Sequence, residues 1–119
     1  MNNGKDNIIV RKTFSFAINV ITFSELLDAK HKYVISKQLL KAGTSIGANV
    51  KEAQNAESKN DFIHKMKIAA KEAEEMEYWI DICNQAESYP SNIELLNDLK
   101  DIQRILTKII GTSKRALAN

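Results

Sequence analysis

Residues 38–53 read QLLKAGTSIGANVKEA, and the rest of the chain is organised around them. Leu39, Gly43, Ile46, Val50 and Ala53 recur at alternating spacings of four and three, which puts them on one face of a helix and marks a bundle seam. Gly43 and Gly47 lie four residues apart on that helix. Each glycine costs roughly 1 kcal/mol of helix propensity relative to alanine, so the pair predicts close packing of a neighbouring helix rather than a hinge. Ser45, Asn49 and Glu52 make a polar stripe beside the apolar one. Polar groups that near a seam hydrogen-bond across to a neighbour or set its register.

Upstream, Asp6 or Asn7 can cap a first helix over 7–29, with residues 1–5 as a frayed arm. Ile9, Phe16, Val20, Phe23 and Leu27 form one apolar stripe of that helix, and Val10, Phe14, Ala17 and Ile21 a second. So wide an apolar arc has more to cover than one neighbour can bury, which points to self-association or to a thick core. After a charged turn at residues 30–32, the second helix carries the opening motif over 33–57. Ser58 caps a third helix, 59–87, with Asp61 favourable to the dipole in its first turn. Phe62, Met66, Ala69, Ala73, Met76, Ile80 and Cys83 form its unbroken seam, the methionines as core fillers and the cysteine as a structural residue. Pro90 ends the next connection, and Ser91-Asn92-Ile93-Glu94 reads as a capping box. The fourth helix, 92–111, has Leu95, Leu99, Ile102, Leu106 and Ile109 as its seam and frays past Gly111 into a basic tail.

A length of 119 residues with four Gly and one Pro fits one domain of long helices and excludes a turn-rich sandwich or barrel. Short connections between long amphipathic helices imply an all-α, up-down-up-down antiparallel four-helix bundle spanning residues 1–119. No apolar run suits a membrane span and MNNGKDN has no signal-peptide layout, so the expected setting is the cytoplasm, without membrane contact. The single cysteine excludes an internal disulfide, and no Cys/His cluster has zinc-finger spacing.

The net charge of +2 hides a polarity. In this topology the start of the first helix, the end of the second, the start of the third and the end of the fourth share one pole. Arg11, Lys12, Lys51, Lys59, Lys65, Lys67, Arg104, Lys108, Lys114 and Arg115 fall there, against Asp6, Glu52, Glu57 and Asp61. The other half collects Glu74, Glu75, Glu77, Asp81, Glu87, Glu94 and Asp98. A basic pole is the electrostatic footprint of a nucleic-acid binder, since phosphate contacts need cations but no particular motif. The bland alternative is that these lysines solvate helix ends and complement the macrodipole, as Arg104 and Lys108 would. No aromatic interleaving supports base stacking.

Enzyme readings fare poorly. Asp28-x-x-His31 and Asp61-x-x-His64 have the spacing of di-metal bundle ligands. They belong to opposite poles, roughly 30 Å apart at 1.5 Å rise per residue, and cannot share a metal in one protomer. Glu72 and Glu75 make an acid pair with neither histidine nor cysteine beside it. No catalytic residue, metal site or cofactor is expected.

QLLKAGTSIGANVKEA, followed by DFIHKMKIAAKEAEEMEYWIDI, resembles the four-helix-bundle family that includes proteins encoded in intervening sequences of bacterial 23S ribosomal RNA genes. That family is itself similar to the accessory variability protein of diversity-generating retroelements. The resemblance covers nearly the whole chain, and its specific core is Ser45-Ile46-x-x-Asn49-x-x-Glu52 joined to Glu72-x-x-Glu75-x-x-Tyr78-Trp79. It implies a bundle that assembles as a ring, typically a pentamer, with no known catalytic activity. From the retroelement relatives it implies binding to nucleic acid and to a reverse transcriptase through basic surface residues. Lys41 and Lys51 stand where many relatives have arginine, which keeps charge but loses bidentate pairing.

Taken together, these observations lead us to expect a non-enzymatic homo-oligomer that binds RNA or DNA weakly through the basic pole, with a protein-docking scaffold as the alternative. Ser45, Asn49, Glu52, Glu72 and Glu75 are expected to form a structural polar network between the second and third helices or between subunits, with Trp79 packed near the bundle end. Altered oligomer size on Asn49→Leu would reveal it.

Overall fold

The apolar stripes assemble as four helices in the computed structural model, which describes residues 7–118. They are α1 (Ile8–Ala29), α2 (Tyr33–Ala53), α3 (Lys59–Gln85) and α4 (Ile93–Ala118). Among the described residues there is no strand. Helices α1 and α3 each touch α2 and α4, while neither diagonal pair meets. This is a square, antiparallel bundle, and its α1–α4 seam is the sparsest of the four.

Local chemistry fixes most helix ends. Asn7 caps α1 by accepting from the Val10 amide, and its Nδ2 donates to Gln54 Oε1 at 2.8 Å, tying the start of α1 to the end of α2. Asp6, the other expected cap, and the arm at residues 1–5 lie outside the described residues. His31 takes a positive φ of 62° in the α1–α2 turn, a conformation histidine tolerates better than most side chains. At α3 the Ser58 hydroxyl accepts from the Asp61 amide, and the Asp61 carboxylate accepts from the Glu57 amide, two otherwise orphaned donors satisfied reciprocally.

Besides a shift of one residue at the start of α1 and of two at the end of α3, which closes at Gln85 rather than residue 87, three boundaries differ from expectation. Helix α2 stops at Ala53, not residue 57, because no core position follows it and the Gln54 side chain turns back to donate to the Val50 carbonyl. The cap of α4 is Asn92, whose Oδ1 accepts from the Leu95 amide; the expected Ser91 capping box is shifted by one residue. Helix α4 also continues through Gly111 to Ala118. A glycine there costs propensity but does not break a helix whose neighbours are good helix formers.

The core is built from the stripes read in the sequence. Phe16, Val20, Leu27, Leu39, Ile46, Val50, Met66, Ala73, Met76, Ile80, Leu99 and Leu106 are all buried. At the start of α3 the seam passes through Ile63, while Phe62 is half-buried against the core. A straight helix drifts by about 20° per heptad, which moves the inward position by one residue here. A Cβ on Gly43 would lie 2.7 and 2.8 Å from the two Val20 methyls and 3.2 Å from Met76 Cε, and one on Gly47 would lie 3.3 Å from the Thr13 carbonyl oxygen. Both glycines therefore admit α1 against α2, as expected for packing rather than a hinge. The buried polar link of that seam is Ser24 Oγ to Ser36 Oγ at 2.7 Å, with Ser36 also donating to the Ser24 carbonyl.

The second stripe of α1 is left uncovered by this chain. Phe14 is 68% exposed and Ile21 40%. Beside them Val10, Ala17, Gly47 and Ala48 line a groove of about 550 Å³ between α1 and α2, with Arg11 and Lys51 at its edge.

Candidate nucleic-acid interface

Helix offsets decide which cations share a surface. Asn19 and Asp98 line one groove along the α1–α4 seam, so in this antiparallel pair Ile8 is level with Ile109, equally far along. The turns of α4 beyond residue 110 therefore pass the start of α1 and lie beside α3. The 51 Å long axis of the bundle exceeds the roughly 40 Å that the residues of α3 span at 1.5 Å each, consistent with staggered ends.

On this end of the α3–α4 hairpin stand Lys59, Lys65, Lys67, Lys114 and Arg115. The Lys67 ammonium beside it holds the Lys114 ammonium below its ordinary range. Two like charges held together create a local excess of positive potential that a bridging anion would relieve. Lys65 is engaged by Asp61 one turn earlier at 3.2 Å. The Glu57 amide and then Lys65 hold the Asp61 carboxyl below its usual value. Such a half-exposed i,i+4 pair, still open to solvent, holds the lysine only loosely.

Arg104 does not belong to the pole. Because α4 runs to Ala118, Arg104 sits near its middle, paired with Asp101 at 2.9 Å, and Lys108 lies between it and the hairpin end. The dipole role expected of them falls instead to Arg115 in the last turn. Arg11, Lys12 and Lys51 lie around the start of α1 and the end of α2, with Arg11 and Lys51 on the apolar groove. The basic residues thus divide into an α3–α4 cluster and an α1–α2 rim. The fraying expected beyond Gly111 concealed this division, and the amphipathic spacing of Ile109 and Ile110 with Ser113 was the available signal that the helix goes on.

Within one protomer the polar stripe does not form the expected network between α2 and α3. Asn49 Nδ2 donates to the Ser45 carbonyl at 2.9 Å, and Trp79 Nε1 to Glu75 Oε2 at 3.4 Å, each within its own helix. Among the described residues no hydrogen bond or ion pair joins Glu52 or Glu72 to another helix. The polar bridge between α3 and α4 is instead Glu77, which accepts from Lys100 at 2.6 Å and Gln103 at 3.0 Å. Lys100 first and Gln103 second hold the Glu77 carboxyl below its usual range. At the far pole Lys32 stands over the Tyr89 ring, 4.9 Å from its centroid.

Asp28 ends α1 and Asp61 opens α3, at opposite poles. Among the described residues no three His, Cys, Asp or Glu side chains come together as a metal site, and no helix is long and apolar enough to cross a membrane. Burial pushes the Cys83 thiol up to about 11.

Residues 5–108 match the model of the 23S rRNA-intervening sequence protein family. The chain is also similar to a crystal structure of a protein of unknown function from the S23 ribosomal protein family of Bacteroides thetaiotaomicron, with 39% identity and a TM-score of 0.81. That match covers 86% of this chain and 97% of the other. Among curated proteins, none matches.

Proposed function

The chain belongs to the 23S rRNA-intervening sequence protein family, and we propose that it works as a self-associating, non-enzymatic bundle that binds RNA or DNA in the cytoplasm. The contact surface is the basic end of the α3–α4 hairpin, and the interaction is with phosphates, hence tolerant of sequence. The observation that carries this reading is the placement of Lys67 beside Lys114, whose ammonium it holds below its ordinary range. A phosphate between them would exchange that repulsion for two charge-assisted hydrogen bonds. Self-association multiplies a modest patch by the number of subunits, which raises avidity without new contacts.

The test is binding of a labelled structured RNA and a matched DNA duplex across a salt series, comparing wild type with Lys67→Glu/Lys114→Glu. Wild type should show affinity that falls steeply with salt. The variant should bind at least tenfold more weakly, with a salt slope shallower by about two units and unchanged helicity. Absence of binding at low salt, or equal binding by the variant, overturns the proposal.

A further inference from the structure

We propose that Gly111 is the seat of a nucleic-acid phosphate on the outer face of α4, the point where the backbone of a bound strand comes closest to the helix. The inference rests on the nucleic-acid binding proposed above and names one of its contacts.

The packing of the bundle accounts for Gly43 and Gly47, since a Cβ on either would press on α1. It does not account for Gly111. A Cβ there would meet only Arg115 Nη1, at 3.5 Å, an ordinary contact with the end of a flexible side chain. Its φ is not positive either. Alanine would fit the space and the backbone and would form the helix better. Among the described residues nothing therefore calls for a glycine, and what its missing side chain provides is room at the surface, where a ligand can approach the backbone closely.

The chemistry around that gap selects an anion. On a helix the neighbours of position 111 are the residues three and four away: Thr107, Lys108, Lys114 and Arg115, all of them exposed. Arg115 Nη2 donates to Thr112 Oγ1 at 3.3 Å, which turns the guanidinium toward Gly111 and leaves further N–H donors on the same group. From Thr107 to Ala118 the helix carries no acidic residue. Lys67 of α3 stands beside Lys114 and adds to the same positive field. Glu74, which shares a groove with Thr107, bounds the site on the side toward the middle of the bundle. Gly111 also lies two turns before the end of α4 at Ala118, away from the negative end of the helix dipole, which fades within the last turn.

A phosphate resting on the bare backbone comes within reach of cations from both adjoining turns at once. Lys108 serves one of its charged oxygens from the turn before, and Lys114 and Arg115 serve the other from the turn after. A methyl group at position 111 would hold the phosphate away from all three. Charge-assisted hydrogen bonds need N···O separations of about 2.8 Å, so even a small displacement weakens them. Such a seat contacts no base, in keeping with binding that tolerates any sequence.

The experiment titrates a labelled structured RNA and a matched DNA duplex against full-length wild type, Gly111→Ala and Gly111→Leu across a salt series. Thermal melting and assembly mass are measured on each protein. Gly111→Ala changes no charge. It should melt at a higher temperature than wild type, because alanine forms helix better. It should nevertheless bind about fivefold more weakly, with a salt slope shallower by about one unit as the seated phosphate is pushed out. Gly111→Leu should bind more weakly still. Higher stability combined with lower affinity is a result that a purely structural glycine cannot give. Equal or tighter binding by Gly111→Ala overturns the seat while the binding proposed above stands. A lower melting temperature for Gly111→Ala also overturns it, since the fold would then need the glycine. So does a loss of affinity that comes with a changed assembly mass, since the glycine would then serve a contact between copies. Wild type that binds neither nucleic acid at low salt overturns both this inference and the proposed function.

Discussion

Gly43 was legible because its cost needed a reason, and the reason is two methyl groups. Its absent Cβ would lie within 2.8 Å of both branches of Val20, a stiff β-branched side chain in a closed core. Gly43→Ala should therefore lose about 1–3 kcal/mol in urea denaturation despite its better helix propensity. In a Val20→Ala background the same change should cost much less, and equal cost in both backgrounds would show that the contact does not matter. Ser24 and Ser36 were equally available to the eye, since each sits at a seam position, Ser24 between Val20 and Leu27 and Ser36 three before Leu39. Their buried bond was legible only as a polar break in each apolar stripe, because a seam serine does not name its partner on the other helix. Glu77 gives a pH signature. Its carboxyl lies below the usual 4.5, so its contribution is fully present above the unfolded value and is lost as the pH falls through the lower folded value. With its side chain 28% exposed and that of Lys100 53%, the bridge contributes under about 1 kcal/mol. Glu77→Gln should be slightly less stable than wild type at neutral pH, and the gap should narrow as the pH falls below 4.5; a gap unchanged on acidification sinks this account.

At the scale of the element, existence and facing were legible while ends were not. A periodic seam repeats its message every turn, but a boundary depends on one or two hydrogen bonds. Ser91 and Asn92 are both good caps by type. The choice between them is made by the preceding loop, where Asn84 Oδ1 accepts from the Asn92 amide at 2.6 Å and fixes where the chain turns into α4. Asn92→Ala should cost about 1 kcal/mol of stability and Ser91→Ala close to nothing, measured by thermal or urea melts. The reverse ranking would restore the capping box. The end of α4 was not legible for the opposite reason: Gly111 signals a stop, yet its neighbourhood is open enough that a Cβ there would meet only Arg115 Nη1, at 3.5 Å.

For the whole molecule, the bundle topology was legible from short connections, and the division of charge between two ends followed from it. The detailed surfaces did not, because they depend on how far each helix overhangs its neighbours. That overhang moved Arg104 from the pole to mid-helix and gathered Lys67 and Lys114. Assembly and binding are expected to be linked: where Phe14→Asp on the exposed stripe of α1 breaks the proposed self-association, it should weaken nucleic-acid affinity by about a hundredfold through lost avidity, every basic side chain being left in place. Unchanged affinity in a monomeric variant would mean that one subunit suffices.

The square arrangement of helices carries a further consequence. Three of its sides are closed by loops, at residues 30–32, 54–58 and 86–92, and the fourth, between the first and last helices, is closed by side chains alone and is the sparsest. Opening that side requires no loop to stretch. The bundle is thus a sleeve with a slit rather than a closed tube, and backbone amide exchange should be fastest, away from the helix ends, along the two edges of that slit.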